Sequence, residues 1–422
     1  MTAGALKDAV CVIGYDAVSP LGIDLDVQWR NALAGKSGIG PLTRFPLSDT
    51  FPVRIAGEAP AIDHLGYPFL SAREQARWPS PIFKYALLTV HRALAASGLH
   101  ITPELSPRVA VTYSSAVGGL DVVLAADRNL TAHGKLPMPW VNPNACINMV
   151  GGVVSMATNA TGPISATITA CATGLTSMVI GAMLIRQGRA DVAICGAVDF
   201  PLTAPIVAGF ATMNGAYVPK EGAPPESPDQ ASRPFSKNRR GFVISEGAGC
   251  ILLASRDFTK THGVLPLAYL EGWSMTSDAH HFVAPHFETV RRCIAESILD
   301  AGISCRQVDA VNAHAASTRI GDKVEWEAIR DVFGGHPPFI TANKSLLGHV
   351  MGASSAIETI FALKAMETGM LPPTLNYSAD PDLALGDRLV TQPYRHRQEY
   401  VLKNAFGFGG CNTCAVFKHP EA

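Results

Sequence analysis

The sequence predicts an α/β protein built from two copies of one strand, turn and helix unit, with the two halves facing each other. Apolar runs of strand length alternate with longer stretches of helical period along the chain. The stretch Ile168-Thr169-Ala170-Cys171, ahead of an apolar helix, has a counterpart in Ile340-Thr341-Ala342-Asn343, ahead of Gly348, His349 and a similar helix. The 422 residues are 47% hydrophobic, enough to fill a substantial core. Facing halves would bring Cys171 close to His349.

The first cycle starts with a strand at 9–14 (Ala-Val-Cys-Val-Ile-Gly) and a helix at 27–33. Gly14 and Gly22 do not complete G-x-G-x-x-G, so a dinucleotide site is discarded. Residues 45–81 are proline-rich and irregular; within them Arg73 and Arg77 lie four apart and share a helix face. A helix at 84–98 carries Ala86, Leu87, Val90 and Leu94 on one side and ends at Gly98. A strand at 109–113 leads into small residues at 114–119, and a helix at 147–157 follows the loop at 137–143. The β-branched run 164–169 reads as a buried strand, and the helix after Cys171 runs to about Gln187, where Gly188 ends it. Residues 191–196 form a further buried strand, and 222–232 an exposed loop.

The second cycle follows the apolar run 250–254. It has strands at 266–272, 308–312 and 339–344, a helix at 290–301 stopped by Gly302, and a helix at 352–367 with Ile357, Ile360 and Phe361 on one face.

Composition narrows the function. With 34 basic and 35 acidic side chains the net charge is −1, which offers no field for nucleic acid or an anionic membrane; an acidic partner needs a local patch. Nine scattered cysteines, an odd number, argue against a disulfide framework and for a reducing compartment. The first eight residues lack a basic segment followed by an apolar one, and no apolar run is long enough to span a membrane. The expected compartment is the cytoplasm.

Four stretches carry chemistry. Cys171 sits where a helix begins, so unpaired N–H groups and the positive end of the helix dipole favour its thiolate, unless it is merely a small buried residue. Asn312-Ala313-His314 follows a buried strand, Lys344-Ser345-Leu346-Leu347-Gly348-His349 joins a lysine to a second histidine, and Phe406-Gly407-Phe408-Gly409-Gly410-Cys411-Asn412 is a glycine-rich loop. Taken singly, each histidine reads as well as a satisfied core or surface group, and the loop as a turn. Cys411 and Cys414 form C-x-x-C, but in a strand, without a second pair, so neither redox chemistry nor a zinc site is expected.

Together these motifs resemble the elongating β-ketoacyl-acyl-carrier-protein synthases, the ketosynthases of the thiolase superfamily. Thr-Ala-Cys, Asn-Ala-His-x-x-x-Thr, Lys-Ser-x-x-Gly-His and Gly-Phe-Gly-Gly-x-Asn occur in family order, and the likeness runs from Val10 to Phe417. The resemblance implies a thiolase fold: duplicated α/β halves in an α-β-α-β-α layered arrangement, with 1–258 carrying the nucleophile and 259–422 the histidines, lysine and glycine-rich loop. It implies that Cys171 takes an acyl chain, with the backbone N–H groups of Cys171 and Phe408 as oxyanion hole, one such donor being worth ~3 kcal/mol. His314 and His349, as neutral imidazoles, would stabilise the enolate left when a malonyl-type extender loses carbon dioxide. Lys344 paired with Glu325 would order the site.

The same resemblance makes Phe408 a gate. It places Val117, Val141, Phe210 and Thr318 on the substrate path, with Val117 at the floor of the acyl pocket and Val141 reaching across a dimer interface. Arg73, Arg77 and Lys135 match positions that meet the acidic carrier protein, and the strand at 191–196 is the expected dimer contact. No bound cofactor or metal is implied; substrates ride on the phosphopantetheine arm of an acyl carrier protein. Ala315-Ala316 replace the usual Gly-Thr, Val283 and Cys411 stand where threonine is common, and Asn214 where a base is frequent. Each lost hydroxyl removes ~1 kcal/mol of arm binding. These departures point to polyketide or specialised fatty-acid assembly. The rivals are a silent, chain-length-setting subunit of a ketosynthase heterodimer, which would lack the nucleophile, and a thiolase-type acyltransferase, which would carry one histidine.

Overall fold

The computed structural model describes residues 10–65, 70–220 and 226–421. The expectations for residues 1–9, for 66–69 of the proline-rich stretch and for 222–225 of the exposed loop lie outside them.

Nine strands form one sheet in the order Val109–Ser114, Val192–Asp199, Gly247–Ser255, Val10–Val18, Ala268–Ser277, Cys411–Lys418, Tyr400–Gly407, Ala310–Asn312, Phe339–Thr341. The first four come from the earlier part of the chain and the other five from the later part. They join where Val10–Val12 pairs with Leu270–Ala268, over three residues only. Beyond that short seam the two sheet halves separate around a central layer of two helices, Thr173–Arg186 and Ala353–Thr368, which pack on each other and on strands of both halves. Helices Pro81–Ser97 and Asn148–Thr158 cover one outer face, and Phe287–Asp300 with Arg319–Phe333 the other. This is the expected α-β-α-β-α stack of duplicated halves.

Burial explains the layering. Every residue from Ala353 to Met366 is buried, and an all-round buried helix must be a central one. The two central helices approach closely because Gly174 has no side chain; a Cβ there would lie 2.6 Å from the backbone nitrogen of Ala356. Among the described residues no helix is long and apolar enough to cross a membrane.

Four expectations need correction. The run 164–169 is extended but joins the sheet only through a bridge between Ile164 and Val111, leaving Ile164 52% and Ile168 43% exposed. It is an outer edge with one side unpaired, so its β-branched residues are not buried in this chain. The strand expected at 191–196 is Val192–Asp199, hydrogen-bonded on both sides by Val109–Ser114 and Gly247–Ser255, and therefore has no free edge for a dimer contact. The strand expected through Lys344 stops at Thr341, and Lys344–Leu347 is a single helical turn. The loop expected to be exposed to residue 232 turns inward at Ala231 and Ser232, both buried, where Ser232 Oγ donates to the Lys344 carbonyl at 2.7 Å. The pair Arg73 and Arg77 does lie on one helix, Ala72–Arg77, started by a Ser71/Glu74 capping box.

Candidate active site

Cys171 occupies a tight turn, Ala170–Ala172, that feeds the helix Thr173–Arg186. Ala170 before it has φ +47, a left-handed conformation that a residue with a Cβ adopts only when its surroundings hold it there. The sulfur faces the backbone N–H groups of Phe408 and of Cys171 itself. Phe408 reaches that position because Gly407 lets the loop lie against the turn; a Cβ on Gly407 would sit 2.3 Å from the Thr169 carbonyl oxygen. The glycine-rich loop and the Cys171 turn thus converge from distant parts of the chain.

His349 stands 3.1 Å from Cys171, Nε2 to Sγ. Its Nδ1 lies 2.9 Å from Ser354 Oγ, which also accepts the Val350 N–H at 2.7 Å. In the tautomer whose Nδ1 accepts the serine hydrogen, Nε2 carries the imidazole hydrogen toward the sulfur. The His314 ring packs edge-on to His349 at 5.7 Å. Burial, then the charge of Lys344, hold both imidazoles well below their usual pKa, so both are neutral N–H donors.

The expected pairing of Lys344 with Glu325 is not what the fold makes. Lys344 Nζ donates to Glu358 Oε1 at 2.6 Å and to the His314 carbonyl at 2.5 Å. Glu325 instead accepts the backbone N–H groups of His314 and Ala315 at 2.8 and 2.7 Å and the Asn404 amide at 3.1 Å. It therefore fixes the loop after His314, where Ala315 (φ +22) and Ser317 (φ +67) are again left-handed. The reason is topological: the central helix carries Glu358 beside Lys344, whereas the outer helix Arg319–Phe333 directs Glu325 at the backbone. The available signal was Glu358, set among Ile357, Ile360 and Phe361 on the apolar face of the helix and 14 residues after Lys344.

Two cavities meet at Cys171. The larger, about 640 Å³, is lined by His314, His349, Thr318, Val283, Ala316 and Asn412 among others. The smaller, about 340 Å³, is lined by Val117, Phe210, Phe242, Met351 and Cys411. Cys171, Phe242 and Phe408 line both. Val117 and Phe210 line the smaller, apolar cavity and Thr318 the larger one. Val141 begins the short helix Val141–Ala145 and lines neither cavity of this chain. Arg73 and Lys135 are exposed and Arg77 is half-buried over the Trp140 ring; none of the three lines a cavity at Cys171. Sequence reasoning missed Ser354, Glu358, Phe242 and Lys403, whose roles depend on contacts across the fold.

The electrostatics revise one more expectation. Burial pushes the Cys171 thiol up to about 11, against the opposing pull of Lys344 and the two backbone N–H groups. The regular helix starts two residues past the sulfur, so its dipole does not outweigh desolvation. Iodoacetamide labelling of Cys171, read by peptide mass, is expected to accelerate about tenfold per pH unit between about pH 7 and 9 without levelling. A plateau below about pH 8 would show that the N–H donors win.

Residues 7–258 match the family model of the Beta-ketoacyl synthase N-terminal domain and residues 267–378 that of its C-terminal domain. The chain is 34% identical over 417 residues to the 3-oxoacyl-[acyl-carrier-protein] synthase 2 of Coxiella burnetii, covering 97% of this chain and 98% of that protein. Among solved structures it is similar to the ishigamide ketosynthase/chain length factor, with TM-score 0.87, 28% identity and coverage of 98% of this chain and 99% of that one. It also matches a structure of a type II PKS acyl-carrier protein in complex with its ketosynthase bound to the hexaketide, with TM-score 0.86, 26% identity and the same coverages.

Proposed function

The chain belongs to the β-ketoacyl synthase family, and from that membership we propose that it performs a decarboxylative Claisen condensation between a Cys171-bound acyl chain and a malonyl-type extender. Both substrates would arrive on the arm of an acyl carrier protein, and no bound cofactor takes part. The observation that carries the reading is the convergence of Cys171, two neutral imidazoles and the Phe408 N–H on one cavity.

In the first step the sulfur attacks the acyl thioester, the oxyanion falls to the N–H groups of Cys171 and Phe408, and the carrier thiol leaves with the proton that Cys171 gives up. The acyl chain enters the apolar cavity past Phe408, bounded by Val117 and Phe210. In the second step the extender thioester carbonyl receives N–H bonds from His314 and His349, and loss of carbon dioxide leaves an enolate there. Its carbon attacks the acyl-Cys171 carbonyl, and collapse of the oxyanion expels the thiolate and yields the β-ketoacyl carrier. Lys344 with Glu358, and Glu325 through the backbone after His314, position the histidines.

The edge 164–169, with exposed Ile164 and Ile168 beside the nucleophile turn, is the better surface for a dimer than the strand first expected. A second copy or a ketosynthase-like partner would cover it and bring a Val141 toward the acyl cavity. Arg73, Arg77 and Lys135 are the proposed contacts for the acidic carrier. Two thiolase-like halves, 1–258 and 259–422, and a cytoplasmic location, where Cys171 stays reduced, complete the reading. The presence of Cys171 weighs against a silent subunit, and the second histidine against a thiolase-type enzyme.

The test is incubation with acyl and malonyl carrier proteins, following carbon dioxide release and product mass. A β-ketoacyl carrier two carbons longer is expected. Acyl exchange on Cys171 without decarboxylation would favour the thiolase-type reading instead.

A further inference from the structure

Lys403 lies in the strand Tyr400–Gly407 with none of its surface exposed. Its Nζ donates to Glu358 Oε2 at 2.7 Å, while Lys344 Nζ holds Oε1 at 2.6 Å. One buried carboxylate therefore carries two ammonium groups. Lys344 alone would neutralise Glu358, and the further carboxylate that faces Lys403, Glu325, acts on it through charge, its own hydrogen bonds going elsewhere. Its place is specific: Lys403 is in parallel register with Asn312, two residues before His314, and Lys344 ties the same cluster to the His314 carbonyl.

The charged and titratable groups facing Lys403 come from every neighbouring element. They are Glu358 from the central helix, Lys344 from the turn before it, Glu325 from the outer helix and Cys414 from the adjacent strand. His314 and His349 complete the ring, each feeling the charge of Lys403 as well as that of Lys344. Glu325 accepts hydrogen bonds from two backbone N–H groups and the Asn404 amide, and its charge also meets that of Lys403 at longer range.

We propose that Lys403 is a positioning residue whose charge, fixed on Glu358 behind the two histidines, keeps their imidazoles from taking up a proton during the reaction proposed above. The chemistry gives this a purpose. A neutral imidazole N–H donates a hydrogen bond to the enolate and, being a far weaker acid than an imidazolium, surrenders its proton far more slowly. An imidazolium, with an ordinary pKa of about 6.5, gives its Nε2 proton to the enolate carbon. The N–H bond breaks, a C–H bond forms, and the products are an acetyl thioester and a neutral imidazole. The extender has then lost its carbon dioxide without elongating the chain. A second buried cation guards the carbanion by making that protonation costly.

The test uses the full-length protein with Lys403→Met, which keeps the chain length without the charge, and Lys403→Arg, which keeps the charge. Histidine-labelled NMR of the resting protein reads the protonation of His314 and His349, assigned with single alanine variants, across about pH 5–8. Product analysis with malonyl carrier reads the acetyl to β-ketoacyl ratio over the same range. Lys403→Met is expected to raise the imidazolium fraction at a given pH about tenfold, equivalent to one pH unit, and to increase the acetyl share as pH falls. Lys403→Arg is expected to follow the wild type. Unchanged histidine titration in Lys403→Met, or equal shifts in both variants, would overturn the proposal. If Lys403→Met does not fold, Lys403→Gln takes its place in the same titration. A wild type that never decarboxylates malonyl carrier would sink the reaction proposed above, while the titration would still decide whether Lys403 governs the histidines.

Discussion

Cys171→Ala is expected to take up no acyl group from any acyl carrier protein and to make no β-ketoacyl product, a loss of about 10⁴-fold or more. The fold should survive, because alanine fits a turn already built from Ala170 and Ala172. The variant should still release carbon dioxide from malonyl carrier, since His314 and His349 line the same cavity independently of the sulfur. Intact mass after incubation with acyl carriers of increasing length checks the first point, and the chain length that loads wild type best reports the reach of the apolar cavity. An adduct on the Cys171→Ala protein that maps to Cys411 would move the proposed nucleophile, because Cys411 lines the smaller cavity beside Cys171.

Glu358→Ala should have the largest effect on stability. It would strand the ammonium groups of Lys344 and Lys403, both buried and both hydrogen-bonded to that one carboxylate. Breaking a buried ion pair by removing one partner costs about 3–5 kcal/mol, and here two cations lose the same anion. Urea unfolding followed by tryptophan fluorescence is the measurement, with Glu358→Gln as the milder control that keeps the shape and an acceptor oxygen. A loss below about 1 kcal/mol in Glu358→Ala would mean that water or a lost proton relieves the lysines, and that the cluster is not the dry assembly its burial implies. Decarboxylation should fall with stability in this variant, since Lys344 would no longer be held against the His314 carbonyl.

Much of the candidate site was legible because its parts are local. A strand, a turn of small residues and an apolar helix can be read from period and composition, and so can a histidine set just past a strand or a loop punctuated by glycine. The duplicated unit was legible for the same reason, and it correctly brought His349 to Cys171. The misreadings share a cause. Residues 164–169 have the composition of a buried strand, yet whether a strand is covered depends on what lies beside it, and here one side is open. Val192–Asp199 has the same composition and lies between two neighbours.

The sequence by itself determined an α/β protein with a repeated strand, turn and helix unit, because backbone preference and hydrophobic period act over a few neighbouring residues; the order of the layers and the roles proposed for Cys171, His314 and His349 came from the family resemblance of the motifs. Only the tertiary structure decided which carboxylate meets Lys344, that Ser354 orients His349, that Lys403 joins the cluster, and that Cys171 rests as a thiol. Those outcomes follow from burial and from distances of a few ångströms between residues far apart in the chain. Coulomb attraction and desolvation are set by that geometry, whatever the separation along the sequence.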